Sequence, residues 1–244
     1  LPLTLDQAFV GRKTGTGQHP EAPSDGPSGL SASGKQVGPP MSDADIADTI
    51  DAFARAAGAA QEIGFDAVEI HGAHGYLIDQ FSSSLWNRRT DEYGGDLDGR
   101  MKFGPDIVQA RRQAVGPGFP IIYKFTPYHG VPGGRELDEG LAMAKMLEAA
   151  GVDALHVDYG CYEAWYKAIP TVYQDAPTAA WLAAEVRNVV SVPVLTTGKL
   201  NDPNVAEQVL QDGQADFVGL AHGALTDPHW VNKVHRGEAY DIVP

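Results

Sequence analysis

Two histidines and a tyrosine fall close together in the run His71-Gly72-Ala73-His74-Gly75-Tyr76-Leu77-Ile78-Asp79-Gln80-Phe81. An imidazole, neutral or charged, donates a hydrogen bond to an electron-rich oxygen. A phenol with a pKa of about 10 delivers a proton once it is oriented. Two blander roles stand beside this one. The histidines could satisfy loop carbonyls as half-buried structural residues. A catalytic metal would want three protein ligands, and no clear carboxylate or third histidine accompanies the pair at ligand spacing.

The elements around this run say where it sits. It follows a short apolar stretch of strand length, Ala67-Val68-Glu69-Ile70. Before that, Ser42 with Asp45 three residues on can cap a helix. Ile46, Ile50, Phe53, Ala54 and Ala57 share one face at helical spacing until Gly64 ends it. The same alternation recurs downstream. Residues 121–125 precede a helix over 139–150, residues 154–157 one over 179–190, residues 193–197 one starting near Pro203, and residues 217–220 one over 228–234. Strands alternating with helices predict an α/β fold with a parallel sheet. Long polar connections after the strands favour a closed (β/α)8 TIM barrel over an open doubly wound sheet, as does the lack of a Gly-x-Gly-x-x-Gly after any strand. The His-His-Tyr run then lies at the C-terminal end of a strand, where barrels keep their active sites.

Five strands are clear, residues 1–5 offer a sixth, and a barrel needs eight. The turns Thr197-Gly198-Lys199-Leu200 and Leu220-Ala221-His222-Gly223 both lead towards helices, as do the phosphate-holding loops after strands 7 and 8 of many barrels. Counting back from that pair makes residues 66–70 strand 4 and residues 1–5 strand 3. The expectation is an incomplete barrel: a partial strand and a Gly/Pro/Ser-rich loop over 1–41, then the barrel portion over 42–244. Within the loop, Gly29-Leu30-Ser31-Ala32-Ser33-Gly34-Lys35-Gln36 nearly spells a phosphate-binding P-loop. Gln36 stands where Ser or Thr is needed, no strand precedes it, and Val37-Gly38-Pro39-Pro40 forbids the helix that should follow.

Composition excludes other classes. Against 32 acidic residues there are 18 basic ones, a formal charge of −14 that repels nucleic-acid phosphates and anionic lipid. No apolar run approaches the roughly 20 residues of a spanning helix. The single cysteine, Cys161, can form no internal disulfide and cannot supply an iron–sulfur cluster or a structural zinc site. It fits a reducing, cytoplasmic setting. The N-terminus lacks the features of a signal peptide and begins without Met, as a processed product, a fragment or part of a longer chain would.

Several motifs carry a resemblance. Glu69-Ile70-His71-Gly72-Ala73-His74-Gly75-Tyr76-Leu77, Asn87-Arg88-Arg89-Thr90-Asp91-Glu92-Tyr93-Gly94-Gly95 and Gly99-Arg100-Met101-Lys102-Phe103 closely resemble the Old Yellow Enzyme family of flavin oxidoreductases. Lys124-Phe125-Thr126-Pro127, Gly133-Gly134-Arg135, His156-Val157-Asp158 and the run 160–166 look like its branch of 2-enoate, dienoyl-CoA and bile-acid flavin oxidoreductases. The resemblance covers residues 42 to 244. It implies an FMN-binding (β/α)8 barrel, with NAD(P)H as reductant, that reduces the C=C bond of a small unsaturated carbonyl or carboxylate. His71 and His74 match the pair holding the substrate oxygen, and Tyr76 matches the proton donor. Lys124 matches the cation beside the flavin N1–C2 carbonyl edge, where positive charge stabilises reduced flavin. For Lys124 the blander role is a salt bridge inside the barrel. Gly198 and Lys199 match backbone contacts to the FMN phosphate.

The chain departs from that pattern after the last strand, where relatives carry Gly-Arg and this sequence has Ala221-His222. A histidine is a weaker, pH-dependent substitute for the arginine fork, so looser FMN binding is expected. Relatives often continue into a cluster-binding segment and a pyridine-nucleotide domain, so further domains or a homo-oligomer are expected partners, with no iron–sulfur cluster in this chain. Two rival readings stay open. One is an amine dehydrogenase, with Tyr159, Tyr162, Trp165 and Tyr166 as an aromatic cage. The other is a non-catalytic binding subunit.

Overall fold

The structure, a computed structural model, describes residues 26–243. Helix α1, Asp43–Glu62, begins where the sequence places it. Ser42 takes the Asp45 amide on its side chain, and the Asp45 carboxylate accepts the Ser42 amide at 2.8 Å. Ile46 and Ala57 are buried on its inner face, which packs along α4. Strand β1, Val68–Gly72, is followed by α2 (Leu77–Ser82), α3 (Leu97–Met101) and α4 (Phe103–Val115). Then come β2 (Ile121–Phe125), α5 (Leu137–Ala149), β3 (Ala154–Val157), α6 (Trp165–Ala168) and α7 (Ala180–Arg187). The chain continues through β4 (Val194–Thr196), α8 (Pro203–Gln211), β5 (Phe217–Val218), α9 (His222–Thr226) and α10 (Trp230–His235).

All five strands are parallel and lie side by side in chain order. Their register sorts the side chains, because successive residues of a strand point to opposite faces. Ile70, Tyr123, Leu155 and Val194 form one row, fully buried beneath the helices with Phe81, Phe103, Ile107, Met143 and Leu147. The row on the other face is His71, Lys124, His156 and Leu195. A fully buried row against the helices thus backs a row in which three residues, His71, Lys124 and His156, are titratable. Among the described residues, no helix is long and apolar enough to cross a membrane.

The loop before α1 has more structure than a featureless linker. Residues 26–41 turn back on themselves through an antiparallel bridge between Leu30 and Gln36. Arg89 fastens them by donating to the carbonyls of Pro27 at 3.0 Å and Met41 at 2.6 Å. The P-loop look-alike falls in this bridge and is not followed by a helix. The strand expected over residues 1–5 lies outside the described residues.

Candidate active site

Strand β1 delivers His71 to the polar face and ends at Gly72, where a Cβ would fall 2.6 Å from the Tyr123 hydroxyl. Only glycine lets the strand end lie against that ring. The chain then makes a tight turn in which His74 and Gly75 both take positive φ, 62° and 78°. A non-glycine residue rarely adopts that conformation unless its surroundings hold it there. Here the His74 amide donates to Thr126 Oγ1 at 3.3 Å, the Gly75 amide to Asp79 Oδ2 at 2.8 Å, and the His74 carbonyl accepts from the Tyr162 amide at 3.2 Å.

This turn brings the three expected site residues together. The His71 ring lies 5.5 Å from that of His74 and 5.1 Å from that of Tyr76, and Tyr76 meets Tyr162 edge-on at 5.7 Å. His71 Nδ1 and His74 Nε2 are buried and make no hydrogen bond, although the Asp158 carboxylate lies 3.4 Å from His74 Nε2. Unsatisfied buried polar atoms are rare and call for an explanation, and a ligand oxygen supplies one. Burial, then the charges of His74 and Lys124, lower the His71 pKa to about 4, so its imidazole is neutral at pH 7. Burial and the neighbouring Tyr162 raise the Tyr76 phenol to about 12, so it keeps its proton.

Lys124 sits beside His71 in the strand register, and its ammonium is 2.8 Å from Asp158 Oδ2. The salt bridge weighed as its blander role is therefore present. Asp158 is 7% exposed. Burial opposes its ionisation, but His74 and Lys124 outweigh burial and hold its carboxyl far below the ordinary range. Behind it, His156 Nδ1 pairs with Glu69 Oε2 at 2.8 Å.

The phosphate candidates lie at the ends of β4 and β5. Gly198 and Lys199 have positive φ of 105° and 55°. The Lys199 ammonium turns away to the carbonyls of Thr171, at 3.2 Å, and Gln174, leaving its backbone rather than its charge at the turn. Ala221 and His222 are exposed at the start of α9. Gly223 faces Asn201, so the two turns are neighbours.

The four rings anticipated as one cage divide into two groups. Tyr162 packs on Trp165 at 4.7 Å beside Tyr76. Tyr159 stacks with Tyr128 and meets Trp181 edge-on, and that group is filled by the chain's own Lys167, whose ammonium is 5.1 Å from the Tyr159 ring centre and 5.8 Å from that of Tyr166. Asp158, Thr197, Glu69 and His156 were not among the expected site residues. The signal for Asp158 was its place two residues beyond His156, on the same face of the extended chain.

The sequence pattern of the NADH:flavin oxidoreductase / NADH oxidase family matches residues 4–241. The chain belongs to that family. It is 41% identical over 198 residues to the NADH oxidase of Thermoanaerobacter brockii, covering 81% of this chain and 30% of that protein. With the cinnamate reductase of Clostridium sporogenes it shares 36% identity over 214 residues, 82% of this chain and 32% of that one. Among solved structures, a 2-naphthoyl-CoA reductase in complex with 2-naphthoyl-CoA superposes with a TM-score of 0.80 at 30% identity, over 84% of this chain and 31% of the other. The chain thus spans about a third of these relatives. Its parallel sheet and helices are a portion of the (β/α)8 barrel seen in Old Yellow Enzyme structures.

Proposed function

We propose that this chain forms the flavin- and substrate-binding part of an NAD(P)H-dependent FMN ene-reductase. It would act on a C=C bond conjugated to a carbonyl or carboxylate. The observation that carries the reading is a pair of buried nitrogens that make no hydrogen bond, His71 Nδ1 and His74 Nε2, the latter with only the Asp158 carboxylate 3.4 Å away, beside a phenol that stays protonated. The donor set fits a flavin as well: Lys124 lies in the same row, and the positive-φ turn at Gly198 and Lys199 lies at the end of β4. The name cinnamate reductase, carried by one relative, supports the substrate class.

When bound, FMN supplies the hydride that NAD(P)H gives to it. The chain's own residues do the rest. N–H groups at His71 Nδ1 and His74 Nε2 donate to the substrate oxygen and stabilise the negative charge that grows there as hydride reaches the β-carbon. Such a donor is worth ~2.7–4 kcal/mol of barrier. His71 adds no formal charge to the site at neutral pH, because its imidazole is neutral. The Tyr76 hydroxyl gives its proton to the α-carbon. We place this activity in the cytoplasm, which the lone thiol Cys161 suits.

Tyr76→Phe, loaded with FMN, tests the reading. Flavin reduction by NADH is expected to continue, while alkene reduction in the second half-reaction falls by about 100-fold or more. Unchanged alkene reduction removes Tyr76 from the chemistry. A wild-type chain whose absorption spectrum shows no bound FMN overturns the reading as a whole.

A further inference from the structure

One buried carboxylate has no part in the chemistry above. Asp158 follows β3, and its Oδ2 lies 2.8 Å from Lys124 Nζ, 3.2 Å from Thr197 Oγ1 and 3.4 Å from His74 Nε2. Its Oδ1 accepts the Tyr159 amide at 2.8 Å. One side chain therefore gathers groups from the ends of four neighbouring strands, β1 to β4. Thr197 is held in turn by His156 at 3.4 Å, and His156 by Glu69 at 2.8 Å. A carboxylate tied on both oxygens has little freedom to leave, so what it touches takes its direction from it.

We propose that Asp158 is a positioning residue that aims Lys124 and His74 into the site and offsets the lysine's positive charge at the flavin edge. The proposal rests on the flavin reading above. A lysine ammonium is a hydrated point charge on a flexible stem, and without a partner it samples many directions. Asp158 fixes the stem and also cancels the charge locally: Lys124 alone presents one positive charge, whereas the pair presents none. Reduced flavin is more negative than oxidised flavin at its N1–C2 carbonyl edge. A neutral pair stabilises the reduced form less than a free lysine does, so Asp158 holds the flavin's reduction potential down. It holds His74 more loosely, its field acting on Nε2 at 3.4 Å without a hydrogen bond, which keeps that ring over the turn and leaves its N–H for the substrate oxygen.

The test uses the full chain as wild type, Asp158→Asn, Lys124→Met and the double variant. Asp158→Asn is expected to raise the affinity for reduced over oxidised FMN roughly tenfold, ~30 mV for a two-electron couple, by an unscreened lysine charge. Lys124→Met is expected to shift the potential the other way. Asp158→Glu keeps the charge and is expected to hold the potential near the wild-type value, so the comparison survives if the Asn variant folds poorly. In the flavin-free chain, denaturant unfolding of the four proteins is expected to give a non-zero coupling between the two positions. Normal FMN uptake with the same potential in Asp158→Asn and wild type overturns the role of Asp158 and leaves the flavin reading standing. A shift in Asp158→Glu as large as in Asp158→Asn also overturns it. No FMN uptake by the wild type overturns both, even where the flavin-free coupling is found.

Discussion

Burial and the charges of His74 and Lys124 keep the His71 imidazole neutral down to about pH 4, against 6.5 for the free side chain. Between those two values the folded chain binds fewer protons at this site than the unfolded chain. Its contribution to stability is therefore complete above pH 6.5, falls as pH drops towards 4, and changes no further below that. The His71 ring proton resonance of the flavin-free chain is expected to titrate near 4, and His71→Gln to flatten the stability slope in that window. A His71 midpoint close to 6.5 would mean a solvated ring and would end its role as a buried donor. His71, His74 and Tyr76 were legible in the sequence because six consecutive residues hold all three. For Asp158 the sequence offered only its spacing from His156, because its meeting with Lys124 and His74 exists only once three strands are in register.

The turn that carries His74 is held from behind by a buried clamp. Arg135, with its side chain fully buried, donates to the Thr126 carbonyl and to Ser82 Oγ, each at 2.6 Å, and meets Asp79 Oδ1 at 2.8 Å. Asp79 then takes the Gly75 amide, and Thr126 the His74 amide, so two arms from one guanidinium reach adjacent residues of the turn. Burial raises the Asp79 carboxyl, but Arg135 and His129 outweigh it and hold the group far below its ordinary 3.8. A depressed carboxylate contributes above the unfolded value, and that contribution is lost as pH falls below it. Asp79→Ala strands a buried guanidinium and is expected to cost about 3–5 kcal/mol in denaturant unfolding at pH 7. The gap should narrow below about pH 4. A loss under about 1 kcal/mol, the scale of a surface pair, discards the clamp. The elements themselves were largely legible, since all five strands and the helices after β2, β3 and β4 follow the hydrophobic alternation. Helix α4 escaped it for two reasons. Gly104 and Pro105 open it and read as breakers, although proline is tolerated in a first turn. Arg111 then occupies its buried face, packed over Phe53, and interrupts the apolar spacing.

At the scale of the whole molecule, charge and site pull in different directions. The chain carries a formal charge of −14, while the proposed cofactor brings a phosphate group of the same sign. Local cations do little to offset this among the described residues of the site. Lys124 is neutralised by Asp158, the Lys199 ammonium is spent on backbone carbonyls, and the position after β5 holds His222. Encounter between like-signed partners is slowed by their mutual field, and salt shortens the reach of that field to about 8 Å at physiological strength. FMN association measured by flavin fluorescence quenching is therefore expected to speed up as salt rises, the reverse of a steered encounter. His222→Arg places a permanent, fork-shaped charge at the proposed phosphate turn. That variant is expected to bind FMN roughly tenfold more tightly, as one charge-assisted hydrogen bond allows, and to flatten or invert the salt dependence. If added salt slows FMN binding to the wild type, a cationic site outside the residues described here governs capture. If His222→Arg leaves affinity and salt slope untouched, the phosphate does not sit at the end of β5.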